Sequence, residues 1–361
     1  MSEERQAQTQ DLLGFVTALS GGDGLRVEER LGDGFVRLRV AEAERRQAKH
    51  DIRCVEDAAI ELLRNARDAG ATSIYLASSR EGDCRTLTIV DNGSGIPPHL
   101  TSRIFDARVT SKLDTMLMDK WGVHGRGMAL FSIRENAQEA RVVLSRVGMG
   151  SVIQVRFDVG TIKERADQST WPTLAAGGQG DTVVRGPRNI VRACVEFALE
   201  SKDACNVYCG LPSEILATMR KHAVESYGTN VLEGREDDDA VPIVAMPACA
   251  KDARELAAVA SQMGMEMSDR TAHRIIRYEI APLRNVLAQV RPRDAAKGHR
   301  HQVPSQRTLP LSEEDRELLV RACTAAFNRV ASRYYVVPVA EPSVRCVDGR
   351  LVVSIPYAED E

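Results

Sequence analysis

Aromatic residues are scarce in this sequence: phenylalanine, tryptophan and tyrosine make up 4% of its 361 residues. So few rings argue against a sugar-binding face or a base-stacking surface, both of which use aromatic platforms. Charge of one sign is lacking too. The net charge is −3, so no global field draws the chain to nucleic acid or to an anionic membrane, and such contact would need a local patch. Long apolar runs are missing. Residues 1–10 (MSEERQAQTQ) are polar, the apolar stretch near Phe15 is too short for a secretory leader, and nothing approaches the roughly 20 apolar residues of a membrane span. Paired cysteines are missing as well. The eight cysteines, at 54, 84, 194, 205, 209, 249, 323 and 346, include no CxxC, and Cys205 and Cys209 lack a second cysteine or histidine pair at zinc spacing. The expectation is a cytoplasmic protein with reduced, mostly buried thiols and no membrane contact.

What is present is an ordinary globular composition, 43% hydrophobic and 27% charged. A single core seldom grows past about 250 residues, so two domains are expected. An amphipathic helix is expected over Thr9–Ala18. LRVEER and FVRLRV alternate around the glycine turn LGDG and read as a β-hairpin. From Ala41 to Ala69 the apolar residues recur at three and four, predicting one long helix with Gly70 as its C-terminal cap. Strands SIYLA and RTLTIV follow, then a short helix after Pro97-Pro98, a loop-rich stretch from 107 to 127, a helix near Met128–Ala137, and strands RVVLS and VIQVRF. Residues 161–181, with proline, glycines and no period, read as a linker. Beyond it, helices are expected near 188–200, 212–226, 251–263, 268–290 and 312–332, with a terminal strand pair in SVRCVDGRLVVSIP. The division is therefore 1–160, a linker over 161–181, and a C-terminal α+β domain over 182–361. No internal repeat is visible, and the acidic run Glu236–Asp239 reads as a solvated loop.

Three segments carry chemistry. In Glu61-Leu-Leu-Arg-Asn65-Ala-Arg-Asp68 the spacing puts Glu61 and Asn65 on one helix face with Asp68 nearby, while the leucines turn to the core. An asparagine oxygen is a hard, neutral ligand suited to Mg²⁺ that already carries phosphate oxygens, and a carboxylate one turn away can orient or deprotonate a water. Alone, such a pair is ordinarily a solvated face. Asp91-Asn-Gly93-Ser-Gly95-Ile96 follows a strand directly. A carboxylate there can accept from an adenine amino group, where guanine would present an acceptor, and the glycines let backbone approach a planar ring. Alone, this is a plain turn. Gly122-Val-His124-Gly125-Arg126-Gly127-Met128 leads into an apolar helical run, offering backbone N–H groups and a helix start to an anion.

Together, in order, these segments resemble the GHKL (Bergerat-fold) superfamily, which includes gyrase-type topoisomerases, MutL proteins, ninety-kilodalton heat-shock chaperones and histidine kinases. The resemblance covers roughly residues 50–160. ELLRNARDAGATSI looks like the MutL form of the asparagine box, and VTSKL (109–113) like the start of its lid. DNGSGIPPHLTSRIF is equally close to histidine kinases and to the B subunit of type VI topoisomerases. GVHGRGMALFSI departs from the GFRGEAL pattern of MutL toward the kinase or topoisomerase form. The resemblance implies an α+β fold, a mixed sheet covered on one face by helices and followed by a mainly helical α+β second domain, with ATP and Mg²⁺ as ligands. It implies that Asn65 ligates Mg²⁺, that Asp91 reads adenine, that Gly95 packs by the ring, and that Gly122, Gly125 and Gly127 wrap the phosphates. It places Ser111 and Lys112 in the lid and makes Asp68, Gly93, Ile96, His124, Arg126 and Met128 their neighbours in the pocket.

Within that family the position of Glu61 holds the general base of the hydrolysing members, whereas many histidine kinases carry asparagine there and some serine-directed kinases carry glutamate. The expectation is a Mg-dependent ATPase working as a conformational switch, with homodimerisation on nucleotide binding and a protein partner. Two alternatives stay open: a soluble protein kinase acting on a partner, and a nucleotide-gated interaction module with little turnover. Ala-Lys-His50-Asp-Ile-Arg resembles a phosphoacceptor box, but a His50 on the same helix as Glu61, eleven residues upstream, would lie about 16 Å from it along a rigid rod. It reads as a partly exposed helix histidine, and a self-contained sensor kinase is disfavoured. The basic segment Arg291–Arg307 is placed to touch a γ-phosphate or a nucleic-acid backbone, though a solvated loop is the plainer reading.

Overall fold

The computed structural model describes residues 27–40, 42–110, 117–119, 122–124, 127–176, 182–202, 204–227, 241–290, 313–331, 336–340, 342–347 and 350–359. The helix expected over Thr9–Ala18, the acidic run, the basic segment, and Ser111, Lys112, Gly125 and Arg126 lie outside the described residues. The chain forms two compact units, residues 1–292 and 293–361.

The first unit opens with the expected hairpin, β1 (Val27–Gly32) and β2 (Phe35–Leu38). Its turn forces Gly32, Asp33 and Gly34 all to positive φ, where the two glycines carry no penalty. The long helix expected from 41 to 69 is two helices, α1 (Glu42–Asp51) and α2 (Val55–Asp68). They part because Cys54 is fully extended, the Arg53 N–H donates to the Asp57 carboxylate at 3.2 Å, and the Val55 N–H donates to the Lys163 carbonyl at 3.3 Å. His50 is thus on a different helix from Glu61. Gly70 ends α2 as expected, at φ +76°, with its own N–H donating to Arg67 and that of Ala71 to Ala66.

The sheet that follows contains β3 (Ser73–Glu81), β4 (Cys84–Asp91), β8 (Glu139–Arg146), β9 (Gly150–Asp158) and β12 (Asn206–Gly210), in the order β12-β3-β4-β9-β8. Three of its pairings are antiparallel, and β12 joins β3 in parallel. Between β4 and β8 come β5 (Val109–Thr110), which pairs with β2, the short hairpin β6 (Leu117–Asp119) and β7 (Gly122–His124), and α3 (Ala129–Asn136). The segment expected to be a linker carries β10 (Thr173–Ala176), which pairs with β11 (Thr182–Arg185).

Side chains alternate cleanly across this sheet. Ile74, Leu76, Leu87, Ile89, Ile153, Val155, Val207 and Cys209 face one core, into which α2 sends Leu62 and Leu63, and α4 (Ile190–Glu200) sends Cys194 and Phe197. Tyr75, Ala77, Val90, Val152 and Tyr208 face a second core, filled from α5 (Pro212–Tyr227), α6 (Met246–Cys249), α7 (Ala253–Gln262) and α8 (Asp269–Ile276). The α+β class with a mixed sheet is what the sequence implied. The helical cover, expected on one face, lies on both. The helix expected over 268–290 stops at Ile276, where Tyr278 takes φ +58°, and resumes only as α9 (Val286–Gln289).

The chain therefore divides at about residue 292, not across 161–181, because residues 182–290 complete the first unit's sheet and both of its cores. The second unit holds α10 (Glu313–Ala331), the pair β13 (Val336–Pro338) with β16 (Tyr357–Glu359), and the expected terminal pair β14 (Ser343–Val347) with β15 (Arg350–Ser354). A chain cut after Pro292 is expected to melt cooperatively. One cut after residue 181, with one sheet face stripped and the other core lacking α4, is expected to bind a hydrophobic dye and show no cooperative melt by near-ultraviolet circular dichroism.

Candidate nucleotide site

A cavity of about 600 Å³ lies between α2 and the end of the sheet. Its carboxylate floor follows from strand parity. Asp91 continues the inward series Leu87, Ile89, and Ser151 precedes the inward series Ile153, Val155 on the neighbouring strand, so the two stand opposite each other in register on the α2 side. The Ser151 hydroxyl donates to Asp91 Oδ2 at 2.6 Å, and the Gly93 N–H donates to Oδ1 at 2.8 Å. Asp91 is only 4% exposed. Burial pushes its carboxyl above the usual carboxylate range, and the two hydrogen bonds pull the other way without cancelling it.

The loop after Asp91 is held from every side. Asn92 accepts from the N–H groups of Thr72 and Ser73, each at 2.9 Å, and ties the loop to the start of β3. A Cβ on Gly93 would meet the Ala69 carbonyl oxygen at 2.8 Å. A Cβ on Gly95, at φ +68°, would run into the Arg146 carbonyl of the β8–β9 turn. Both glycines are thus required by the protein's own packing, and Gly95 in addition lines the cavity.

Of the residues singled out in the sequence, Glu61, Asn65, Asp68, Asp91, Gly95, Ile96, Gly127 and Met128 come together on this one cavity. Gly93 acts behind the wall, through Asp91. Gly122 and His124 form part of β7, which pairs with β6. Gly127, at φ +69°, packs on the 108–109 backbone, its carbonyl accepting from the Arg108 N–H at 2.8 Å.

The Asn65 amide nitrogen is buried with no hydrogen-bond partner among the described residues. A carboxamide left incomplete at a cavity wall is costly unless a ligand satisfies it. The unpaired atom is a donor, so it fits a phosphate oxygen as its acceptor, and the amide oxygen Oδ1 is the atom that would meet a hard cation.

Several wall residues carried no signal in the sequence. Ser151 becomes visible only through strand register. Arg53, Arg64 and Arg108 line the cavity beside six carboxylates, Glu44, Asp51, Asp57, Glu61, Asp68 and Asp91. Each arginine is paired with one of them: Arg53 with Asp57, Arg64 with Glu61 at 2.6 Å, and Arg108 with Glu44. Arg64 immediately precedes Asn65, and its identity was the one available cue.

Part of the chain is similar to known proteins. Residues 50–161 match the family of histidine kinase-, DNA gyrase B- and HSP90-like ATPases. Among individual proteins, the DNA mismatch repair protein MutL of Chlorobium phaeobacteroides (strain BS1) is 36% identical over 118 residues, 32% of this chain and 18% of that protein. MutL of Agrobacterium fabrum is 38% identical over 120 residues, 30% of this chain and 20% of that protein, and MutL of Staphylococcus aureus (strain Newman) is 46% identical over 54 residues, 15% and 8%. The chain spans a fifth or less of these relatives. A crystal structure of full-length ShkA in complex with AMPPNP overlays 54% of this chain and 43% of that one, at 18% identity and a TM-score of 0.22. Residues 50–161 thus carry a GHKL-type ATPase domain, and that domain implies ATP binding. No helix among the described residues is long and apolar enough to cross a membrane.

The raised Asp91 carboxyl gives a test of sign. A carboxylate whose folded value lies above its unfolded value leaves stability intact below about 3.9 and loses it as pH rises through the folded value. Asp91→Asn removes that loss. In the nucleotide-free protein it is expected to raise the urea midpoint at pH 7, with the difference from wild type vanishing below about pH 3.9.

Proposed function

We propose that the chain is a Mg-dependent ATP hydrolase that works as a conformational switch. The carrying observation is that Glu61 and Asn65, one helical turn apart on α2, face the same cavity whose floor is the buried Asp91. In this reading adenine docks at the sheet end, its amino group donating to Asp91. Ser151 and the Gly93 N–H hold that carboxylate in place and occupy the lone pairs the base does not need. Ile96, Ile89 and Ile153 supply the apolar walls.

The polyphosphate then lies along α2 toward Gly127 and Met128, where the start of α3 offers backbone N–H groups. Asn65, with Asp68 close by, would hold Mg²⁺, which supplies charge neutralisation on the phosphates when bound. Glu61 accepts a proton from the attacking water as general base. The likeness to MutL supports an ATP-driven cycle. It spans at most about a third of this chain, so the reading stops at the cycle and does not extend to mismatch repair.

The test follows free phosphate and protein-bound label together from γ-labelled ATP with Mg²⁺. Wild type is expected to release phosphate. Glu61→Gln should still bind ATP while kcat falls by about 10²–10⁴. Asp91→Asn, although folded, should bind ATP at least about tenfold more weakly. Label retained on a protein would replace hydrolysis with phosphotransfer, and binding without chemistry would leave a nucleotide-gated module.

A further inference from the structure

Among the described residues, the wall of the cavity proposed to receive a polyanion carries six carboxylates and three arginines. Each of those arginines is in an ion pair. Arg64 is the least exposed of the three, its side chain 4% accessible against 22% for its partner Glu61, with Nη1 donating to Oε1 at 2.6 Å. A guanidinium so far removed from water keeps an anionic partner, because leaving it buried and unpaired is strongly destabilising. It stands between the two residues that the proposed reaction needs free, three positions after Glu61 and next to Asn65.

The geometry points to a partner exchange at Arg64. We propose that it is a phosphate-binding residue held in reserve. Its anion in this structure is Glu61, and with ATP bound its anion is the polyphosphate, so that arrival of the nucleotide takes the guanidinium off the Glu61 carboxylate that faces the attacking water. A guanidinium fork matches phosphate and carboxylate alike in two parallel hydrogen bonds, and the greater negative charge of the polyphosphate makes it the stronger competitor. A Glu61 carboxylate that accepts a charge-assisted bond from Arg64 is the weaker base toward a water, so nucleotide arrival strengthens the base. The exchange deepens the hydrolase reading by placing the phosphates along α2, but binding experiments test it apart from turnover.

The decisive measurement is a double-mutant cycle on affinity for AMPPNP with Mg²⁺, by calorimetry, on the full chain. Glu61→Gln removes the competing carboxylate and is expected to tighten AMPPNP about tenfold in the wild-type background. In the Arg64→Gln background the same change should have almost no effect. Equal tightening in both backgrounds would mean simple relief of charge repulsion and would overturn the exchange. Since Arg64→Gln removes a buried ion-pair member, a second measurement stands apart from its folding. The Arg64 Nε–H cross-peak in a ¹H–¹⁵N spectrum, assigned by its loss in Arg64→Lys, should move on adding AMPPNP and stay still on adding adenosine. A cross-peak unmoved by AMPPNP sinks the proposal. Continued hydrolysis by Glu61→Gln would instead remove Glu61 as the base while leaving the exchange intact.

Discussion

The pairing of Asp91 with Ser151 across the middle of the sheet governs the geometry of the nucleotide end. Its existence depends on register: β4 and β9 place the carboxylate and the hydroxyl directly opposite each other, and a slip of one residue would turn either to the other core. From that pairing the constraints spread outward. The second carboxylate oxygen takes the Gly93 N–H, Gly93 has no room for a side chain against Ala69, and Gly95 lies flat on the β8–β9 turn. The turn is in turn fastened to the far layer, where the Ile243 N–H donates to the Met149 carbonyl at 3.0 Å and Arg146 donates to the Val241 carbonyl at 2.6 Å. The floor of the cavity is thus braced by both cores of the unit.

Such bracing explains how a carboxylate can be kept where it costs stability. Burial disfavours the ionised form of Asp91, yet two donors and the tightly packed backbone around them hold the carboxylate at the cavity floor. The side walls are arranged differently. Among the described residues, three of their carboxylates are held in Arg–carboxylate pairs. In the proposed reading a rigid floor selects the base, and walls of exchangeable pairs respond to charge.

How much of this could be read from the sequence differs by residue. Glu61 and Asn65 were legible because helical spacing alone puts them on one face. Asp91 was legible because its segment follows a strand directly and falls in order between the other two boxes; alone it reads as a plain turn. Gly70 declared the end of α2. The break between α1 and α2 was not legible, since the donors that open it, on Arg53 and Val55, go to Asp57 and to Lys163 far along the chain. Nor was Ser151, whose role exists only through pairing with a strand sixty residues away. The largest omission was β12. NVYCG is short and carries a glycine, and its place in the sheet comes from a parallel partner that no local pattern announces. Without it, residues 182–290 looked like a separate domain.

That parallel edge also dictates when the protein can exist. Asn206 pairs with Ser73, so more than a hundred residues must be synthesised between the two strands before the sheet closes, and the helices of the second core come later still. Contacts of such long separation form slowly, since the loop must be ordered before the pairing rewards it. On the ribosome, β3, β4, β8 and β9 would emerge with one apolar face bare and an unpaired edge, the condition in which strands add to neighbouring chains. The nascent nucleotide-binding segment is consequently the part of this protein most in need of a chaperone, and its vulnerability ends only when α5 through α8 have been made.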